Sequence, residues 1–209
     1  MIKVKPKPRL LIFITEDWYY WSHRRCIALA AKDAGYEVFL ITRVHKLGDK
    51  ILNDGINLIP ISLRRKEKNP FRELYSFLEL IKIYRDIKPS IVHHVTIKPV
   101  IYGTIISNIL GIKSIVNALA GLGHLFTTRN FKLRILKIIL IRVFKLIFIK
   151  TNSKMIFQNH DDMAYFVNNK ILNKQNISLI RGAGVDENIF QYVKEYDDTK
   201  TLLLAGRLL

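Results

Sequence analysis

Seven short apolar runs, at residues 10–15, 36–42, 56–61, 90–95, 113–119, 155–158 and 177–180, recur along the chain at intervals long enough to hold a helix. That alternation constrains the fold more than any other feature. Strands separated by helix-length segments pair in parallel through right-handed crossovers, whereas antiparallel neighbours need only a tight turn. The first run, Leu10-Leu11-Ile12-Phe13-Ile14-Thr15, is continuously apolar, as expected of a strand covered on both faces. The expected class is α/β: a Rossmann-like, mostly parallel sheet with helices on both faces.

The intervening segments carry helix punctuation. Ser22 is placed to cap a helix on which Cys26, Leu29 and Ala30 recur at helical spacing, with Cys26 buried, and Gly35 ends it. Pro70 opens a helix over 70–87 whose Leu74, Phe77, Leu78, Ile81 and Tyr84 share a face, and Lys88-Pro89 closes it. Pro99 and Gly111 bracket a helix over 99–110, a long basic helix covers 131–150, and Asp161 and Asp162 suit the start of one over 161–169. Residues 1–190 therefore read as one Rossmann-like domain. Residues 191–201 turn polar, as in a linker, and 202–209 read as the first strand of a further unit.

Charge narrows the partners. The chain has 34 Lys and Arg against 17 Asp and Glu, a net charge of +17, which predicts attraction to a polyanionic surface. Between Asp86 and Asp161 there is no acidic residue, while 11 lysines and arginines fall in the same interval. A hydrophobic content of 49% excludes a disordered chain. Cys26 is the only cysteine, which excludes an internal disulfide and a multi-cysteine zinc site and suits a reducing cytoplasm. The apolar run after Lys3, Lys5, Lys7 and Arg9 is too short for a secretion signal. Within 131–150, Lys132, Arg134, Lys137, Arg142 and Lys145 interrupt any membrane span. That helix is either a core helix with snorkelling cations or a surface helix seated on anionic lipid, and the acid-free flanks favour lipid. Nucleic acid is the weaker partner, because the basic stretch is apolar and not interleaved with stacking aromatics.

In an open parallel sheet ligands bind beyond the carboxyl ends of the strands, which selects a short set of residues. After the first strand come Glu16 to Trp21 and then Ser22, His23 and Arg24. The fourth is followed by Thr96 and Lys98, the fifth by Gly121, Gly123 and His124, and the sixth by Asn159. Arg24 and the helix start suit an anion, or else Ser22 is a plain cap. Ser22 and His23 are not expected to form a nucleophile–base pair, because sequence neighbours on a helix do not face one another. His93 and His94 point to opposite faces of their strand, so at most one reaches the crevice. Gly121 and Gly123 permit close backbone approach, and His124 beside them is a candidate acid or base. No GxGxxG or Walker A loop follows the first strand, and no metal-ligand spacing occurs, so no metal or tightly held cofactor is expected.

Together these pieces resemble the N-terminal half of family 4 glycosyltransferases of the GT-B fold, especially bacterial enzymes of capsule, O-antigen and glycan assembly. The resemblance rests on Ser22-His23-Arg24, Gly35-Tyr36-Glu37-Val38, Lys88-Pro89-Ser90, Thr96-Ile97-Lys98-Pro99 with Tyr102-Gly103, and Gly121-Leu122-Gly123. Phe157-Gln158-Asn159, Gly182-Ala183-Gly184-Val185-Asp186 and Gly206-Arg207-Leu208 complete it. The order and spacing of these motifs carry it, and it covers almost the whole chain.

The resemblance implies an acceptor-side domain that recognises a lipid-linked saccharide at the inner face of the cytoplasmic membrane. The reaction it implies moves a hexose or N-acetylhexosamine from a UDP-sugar, with retention and without an obligatory metal. Ser22, His23, Arg24, His94, Thr96, Lys98, Gly121, Gly123 and Asn159 would then contact acceptor. His124 would lie near the reacting centre, Arg207 would grip the donor diphosphate, and Gly182, Gly184 and Asp186 would border the second domain. Lys132, Arg134, Lys137, Arg142 and Lys145 would meet anionic lipid. Most of a donor domain would lie beyond Leu209, so the chain alone is expected to be inactive. The alternative is a non-catalytic acceptor- or membrane-binding module that pairs with a separately encoded donor-domain chain.

Overall fold

A computed structural model of the chain describes residues 6–64, 69–119, 121, 131–149, 151–192 and 204, without the side chains of 132–134. Seven parallel strands form one sheet: β1 (Arg9–Glu16), β2 (Glu37–Arg43), β3 (Asn57–Pro60), β4 (Ile91–Val95), β5 (Ser114–Leu119), β6 (Lys154–Phe157) and β7 (Ile177–Leu179). Their spatial order is β3-β2-β1-β4-β5-β6-β7. The chain thus builds outward from β1 in one direction, returns, and builds outward from β4 in the other.

The fully apolar β1 sits at the centre because both of its faces are covered. Ile12 and Ile14 pack against Tyr20, Ala28 and Ile51 on one side, from α1 (Asp17–His23), α2 (Arg25–Asp33) and α3 (Gly48–Asn53). Leu11 and Phe13 pack on the other side against Leu80 and Tyr84 of α4 (Pro70–Ile87) and Ile106 of α5 (Ile97–Ile109). Residues 11–14 are wholly removed from solvent, and each such side chain stabilises the fold by roughly 1.5–3 kcal/mol. A third cluster joins β6 to α6 (Phe131–Phe148) and α7 (His160–Asn168) through Phe144, Phe148, Phe157 and Phe166.

The expected sheet and its two helical layers are present, and two local expectations are corrected. A single helix capped by Ser22 does not form. Instead α1 begins directly after β1 at Asp17, and the path breaks at Arg24, with φ −134°, before α2 resumes. The buried Asp17 carboxylate accepts the backbone N–H groups of His45, at 2.7 Å, and of Lys46 and Leu47, at 3.1 Å. That tether to the turn after β2 starts the helix six residues early, with Glu16 and not Ser22 at the N-cap. Ser22 therefore lies in the last turn of α1, where its hydroxyl donates to the Trp18 carbonyl at 2.8 Å. Cys26 is exposed, not buried, because Ala28 is the residue of α2 that meets the sheet.

The 70–87 helix has the expected limits. The Asn69 side chain accepts from the Phe71 N–H, and Lys88 closes the helix with φ 52°. Pro99 falls in the first turn of α5, which begins at Ile97. The short α3 adds a helix that the sequence pattern does not announce. Of the expected linker and following strand, only Gln191, Tyr192 and Leu204 are described. No described helix is long and apolar enough to cross a membrane.

Candidate functional site

The strand order reverses between β1 and β4, and a hollow of about 540 Å³ opens there at the carboxyl ends of the strands. Thr15, Glu16, Trp18 and Tyr19 form one wall. The β4–α5 turn supplies Thr96 and Lys98, and α5 adds Ile101 and Tyr102. Leu119 and Gly121 come from the end of β5, and α6 closes the mouth with Leu136 and Leu140. The lining is therefore largely apolar, with a few polar groups placed at the strand ends, as in small-molecule sites generally.

Two features make this crevice more than a dent. Thr96 holds φ at +78°, an uncommon conformation for any side chain and a strained one for a β-branched residue. Its N–H donates to the Ala118 carbonyl at 3.0 Å, and its own carbonyl accepts from Val100 at 3.0 Å, so both neighbouring elements hold the turn in place. Beside it, Glu73 of α4 clamps the wall. Lys98 Nζ donates to Glu73 Oε1 at 2.5 Å and to the Arg64 carbonyl at 2.8 Å, and the Tyr102 hydroxyl donates to Glu73 Oε2. Burial, reinforced by the Glu73 carboxylate, pushes the Tyr102 pKa up, so the phenol remains a donor. On the opposite wall Glu16 pairs with His45 at 2.8 Å. Trp18 stands half exposed, edge-on to Tyr19, whose ring stacks on His23 at 4.3 Å.

The sequence-selected residues divide among several places. Thr96, Lys98 and Gly121 line the crevice together, and Gly121 takes φ +97°, open to glycine. Although sequence neighbours on a helix do not face one another, Ser22 Oγ and His23 Nδ1 lie 2.6 Å apart. Both are helical neighbours at the surface end of α1, where side-chain rotation brings them together. The single Ser22 proton goes to the Trp18 carbonyl, so the ring donates to the serine, the reverse of base activation. Arg24 is buried. One guanidinium nitrogen donates to the His23 carbonyl at 2.8 Å, and Nε has no hydrogen-bond partner among the described residues.

His93 and His94 do face opposite ways, and neither lines the crevice. His94, placed with the acceptor contacts by resemblance, is wholly buried. Its Nδ1 lies 2.7 Å from Asn117 Oδ1, its Nε2 lies 3.0 Å from the Tyr84 hydroxyl, and a Cβ on Gly103 would strike its ring. Burial takes its pKa down to about 3. Burial, together with the Arg24 charge, takes that of His93 down to about 4. Both rings are therefore neutral near pH 7.

Asn159 caps α7, accepting from the Asp162 N–H at 2.8 Å. Gly182 and Gly184 take positive φ, and Asp186 accepts from the Asn188 N–H in the same exposed stretch. On α6, Arg142 and Lys145 are exposed, and Lys137 lies over the Tyr165 ring at 4.6 Å. The backbone of Lys132 and Arg134 belongs to α6. Gly123, His124 and Arg207 lie outside the described residues. Among those described, no three His, Cys, Asp or Glu residues are grouped to hold a metal ion.

With the geometry in hand, the family described as glycosyl transferase 4-like matches residues 9–150. The chain belongs to that family. Its fold is that of an N-terminal GT-B domain, and solved structures bear this out. A glycosyltransferase from Rickettsia africae superposes with a TM-score of 0.61 at 17% identity, over 90% of this chain and 46% of that one. Anabaena HepE, solved in complex with UDP and glucose, gives 0.60 at 13% identity, over 88% and 46%. A UDP-N-acetylglucosamine 2-epimerase from Rickettsia bellii gives 0.59 at 10%, over 85% and 46%. The chain thus spans less than half the length of each. No curated protein shows significant sequence similarity to it.

The strand-end rule finds Thr96, Lys98 and Gly121 but not Glu73 or Tyr102. Those two sit within helices whose local pattern reads only as amphipathic, and their partnership exists once α4 and α5 pack.

Proposed function

We propose that this domain forms the acceptor side of a glycosyltransferase that moves a hexose or N-acetylhexosamine from a UDP-sugar to a lipid-linked saccharide. The reaction takes place at an anionic membrane surface, on its cytoplasmic side. The observation that carries this reading is the crevice at the β1–β4 reversal, closed at its mouth by the basic, partly apolar α6. Helix α6 exposes Phe131, Ile135, Ile138, Ile139 and Leu146 alongside Arg142 and Lys145, while Phe144, Ile147 and Phe148 anchor it to the core. An exposed apolar face that carries Arg142 within it and Lys145 at its edge, and no acid, suits the headgroup boundary of an anionic bilayer. A lipid-borne acceptor held there can present its sugar to the hollow behind Leu136 and Leu140.

In this reading Lys98, steadied by Glu73, and the strained Thr96 turn orient the acceptor. Gly121 lets backbone approach it, and the segment carrying Gly123 and His124 continues from there. The nucleotide-sugar is bound by a second domain, to which Arg207 contributes, and Gly182, Gly184 and Asp186 form the border. The nucleotide-sugar enters this reading as a substrate, and the reaction so read calls for no resident cofactor.

The test is transfer of radiolabelled sugar from UDP-sugars into the lipid fraction of membranes that contain the native protein. Lys98→Met is expected to lower incorporation about tenfold or more, the scale of one lost charge-assisted contact. Undiminished incorporation with the variant, or label appearing only in water-soluble products, would count against the reading.

A further inference from the structure

A second hollow, of about 520 Å³, lies on the other side of the first turn of α4. Three arginines from three separate elements converge on it: Arg43 at the end of β2, Arg64 after β3, and Arg72 in α4. Ser62 and the buried Ser76 add hydroxyls, and the exposed rings of Phe71 and Tyr75 form its rim. No carboxylate lines it among the described residues. Glu73, the acid nearest in sequence on α4, is turned to the crevice and engaged by Lys98 and Tyr102. The side chains of Arg43 and Arg64 make no ion pair with any described residue.

Like charges do not gather in a concavity without cost, because each guanidinium raises the energy of the next. Planar forks with serine hydroxyls beside them match the oxygens of a phosphoryl group, and the fork geometry favours arginine over lysine for that purpose. We propose that this hollow is a phosphate-binding site, taking a phosphoryl or diphosphoryl group. It is separate from the crevice but coupled to it through Arg64, whose carbonyl is held by Lys98. The site does not depend on what the crevice binds. Phosphate of this kind reaches the protein either on a lipid headgroup or on a soluble compound, and Phe71 and Tyr75 at the rim are compatible with both.

The experiment has two arms, each run on the 209-residue chain and on Arg43→Gln, Arg64→Gln and the control Arg85→Gln, an exposed position in the last turn of α4. In the first, inorganic pyrophosphate is titrated calorimetrically. In the second, co-sedimentation is measured with phosphatidylcholine vesicles containing phosphatidic acid. Both hollow variants are expected to weaken binding about tenfold in at least one arm, while the control keeps its pyrophosphate affinity. Weakening confined to pyrophosphate makes the ligand a soluble phosphate compound, and weakening that extends to vesicles makes it a headgroup. Arg43→Lys, which keeps the charge and loses the fork, is expected to fall between. Because Arg64 is exposed and Arg43 only half-buried, unchanged near-ultraviolet circular dichroism is expected for all variants. If neither arm distinguishes the hollow variants from the parent or from Arg85→Gln, the site is overturned.

Discussion

His93 and His94 are adjacent on one strand and almost equally buried, yet their surroundings differ. On the α4–α5 side of the sheet, His94 sits in a closed arrangement. Tyr84 and Asn117 take both ring nitrogens, Thr104 donates to the same Asn117 oxygen at 3.2 Å, and Gly103 leaves room for the ring, although Asn117 Nδ2 itself has no hydrogen-bond partner among the described residues. On the α1–α2 side, among the described residues His93 bonds only the Val116 carbonyl, at 3.1 Å. Its Nε2, Arg24 Nε and the Tyr19 hydroxyl have no hydrogen-bond partner among the described residues. Satisfied buried polar groups hold a structure in one arrangement, whereas unsatisfied ones cost stability. The His94 ring, with both nitrogens partnered, is therefore held in one arrangement. The open side, which includes the crevice residue Tyr19, keeps a buried cation at the expense of stability.

The sharpest way to break the comparison is at Gly103. A Cβ there would lie 2.4 Å from the His94 ring, so Gly103→Val is expected to cost about 3 kcal/mol or to prevent folding. Urea denaturation checks this, and a variant as stable as the parent would show that the His94 side is loosely packed.

The next effect is one of pH. Both histidines titrate below their ordinary 6.5 when folded, His93 near 4 and His94 near 3. The unfolded chain therefore binds more protons than the folded one below about pH 6.5. Stability is full above that value and falls as the pH drops towards 4, where His93 itself protonates. His93→Gln is expected to flatten part of that slope, measured as melting temperature against pH. A parallel slope in the variant would remove His93 from the acid response.

The smallest effect should have the opposite sign. Replacing a buried cation that has no counter-ion among the described residues by an apolar chain of similar length relieves desolvation, so Arg24→Met is expected to raise stability by about 1 kcal/mol. A thermal melt checks it, and a large loss of stability would mean that Arg24 is paired more strongly than its contacts indicate.

Much of the fold was legible because it follows from local pattern. The continuous apolar run of β1 and Pro70 at the start of α4 signal their elements without tertiary help. The early start of α1 was not legible, because Asp17 acts through backbone groups about thirty residues away, across the β2 turn. The exposure of Cys26 followed from the same shift, which rotates α2 and buries Ala28 in its place. Within the crevice, Thr96, Lys98 and Gly121 could be picked out because topology alone sends ligands to strand ends. Glu73 and Tyr102 could not, since they are 29 residues apart and meet only through helix packing. The three-arginine hollow escaped for the same reason: its charges come from β2, from the segment after β3 and from α4.

The central claim is that the crevice receives the sugar end of a lipid-borne acceptor while α6 rests on the membrane. The most direct measurement is the retention of this chain on anionic vesicles, with and without an embedded polyprenyl diphosphate-linked saccharide. Retention should rise when the saccharide is present, and Ile101→Trp, which fills the hollow, should remove that increment while basal vesicle binding persists. Equal retention with and without the saccharide, or an increment that survives Ile101→Trp, would contradict the account.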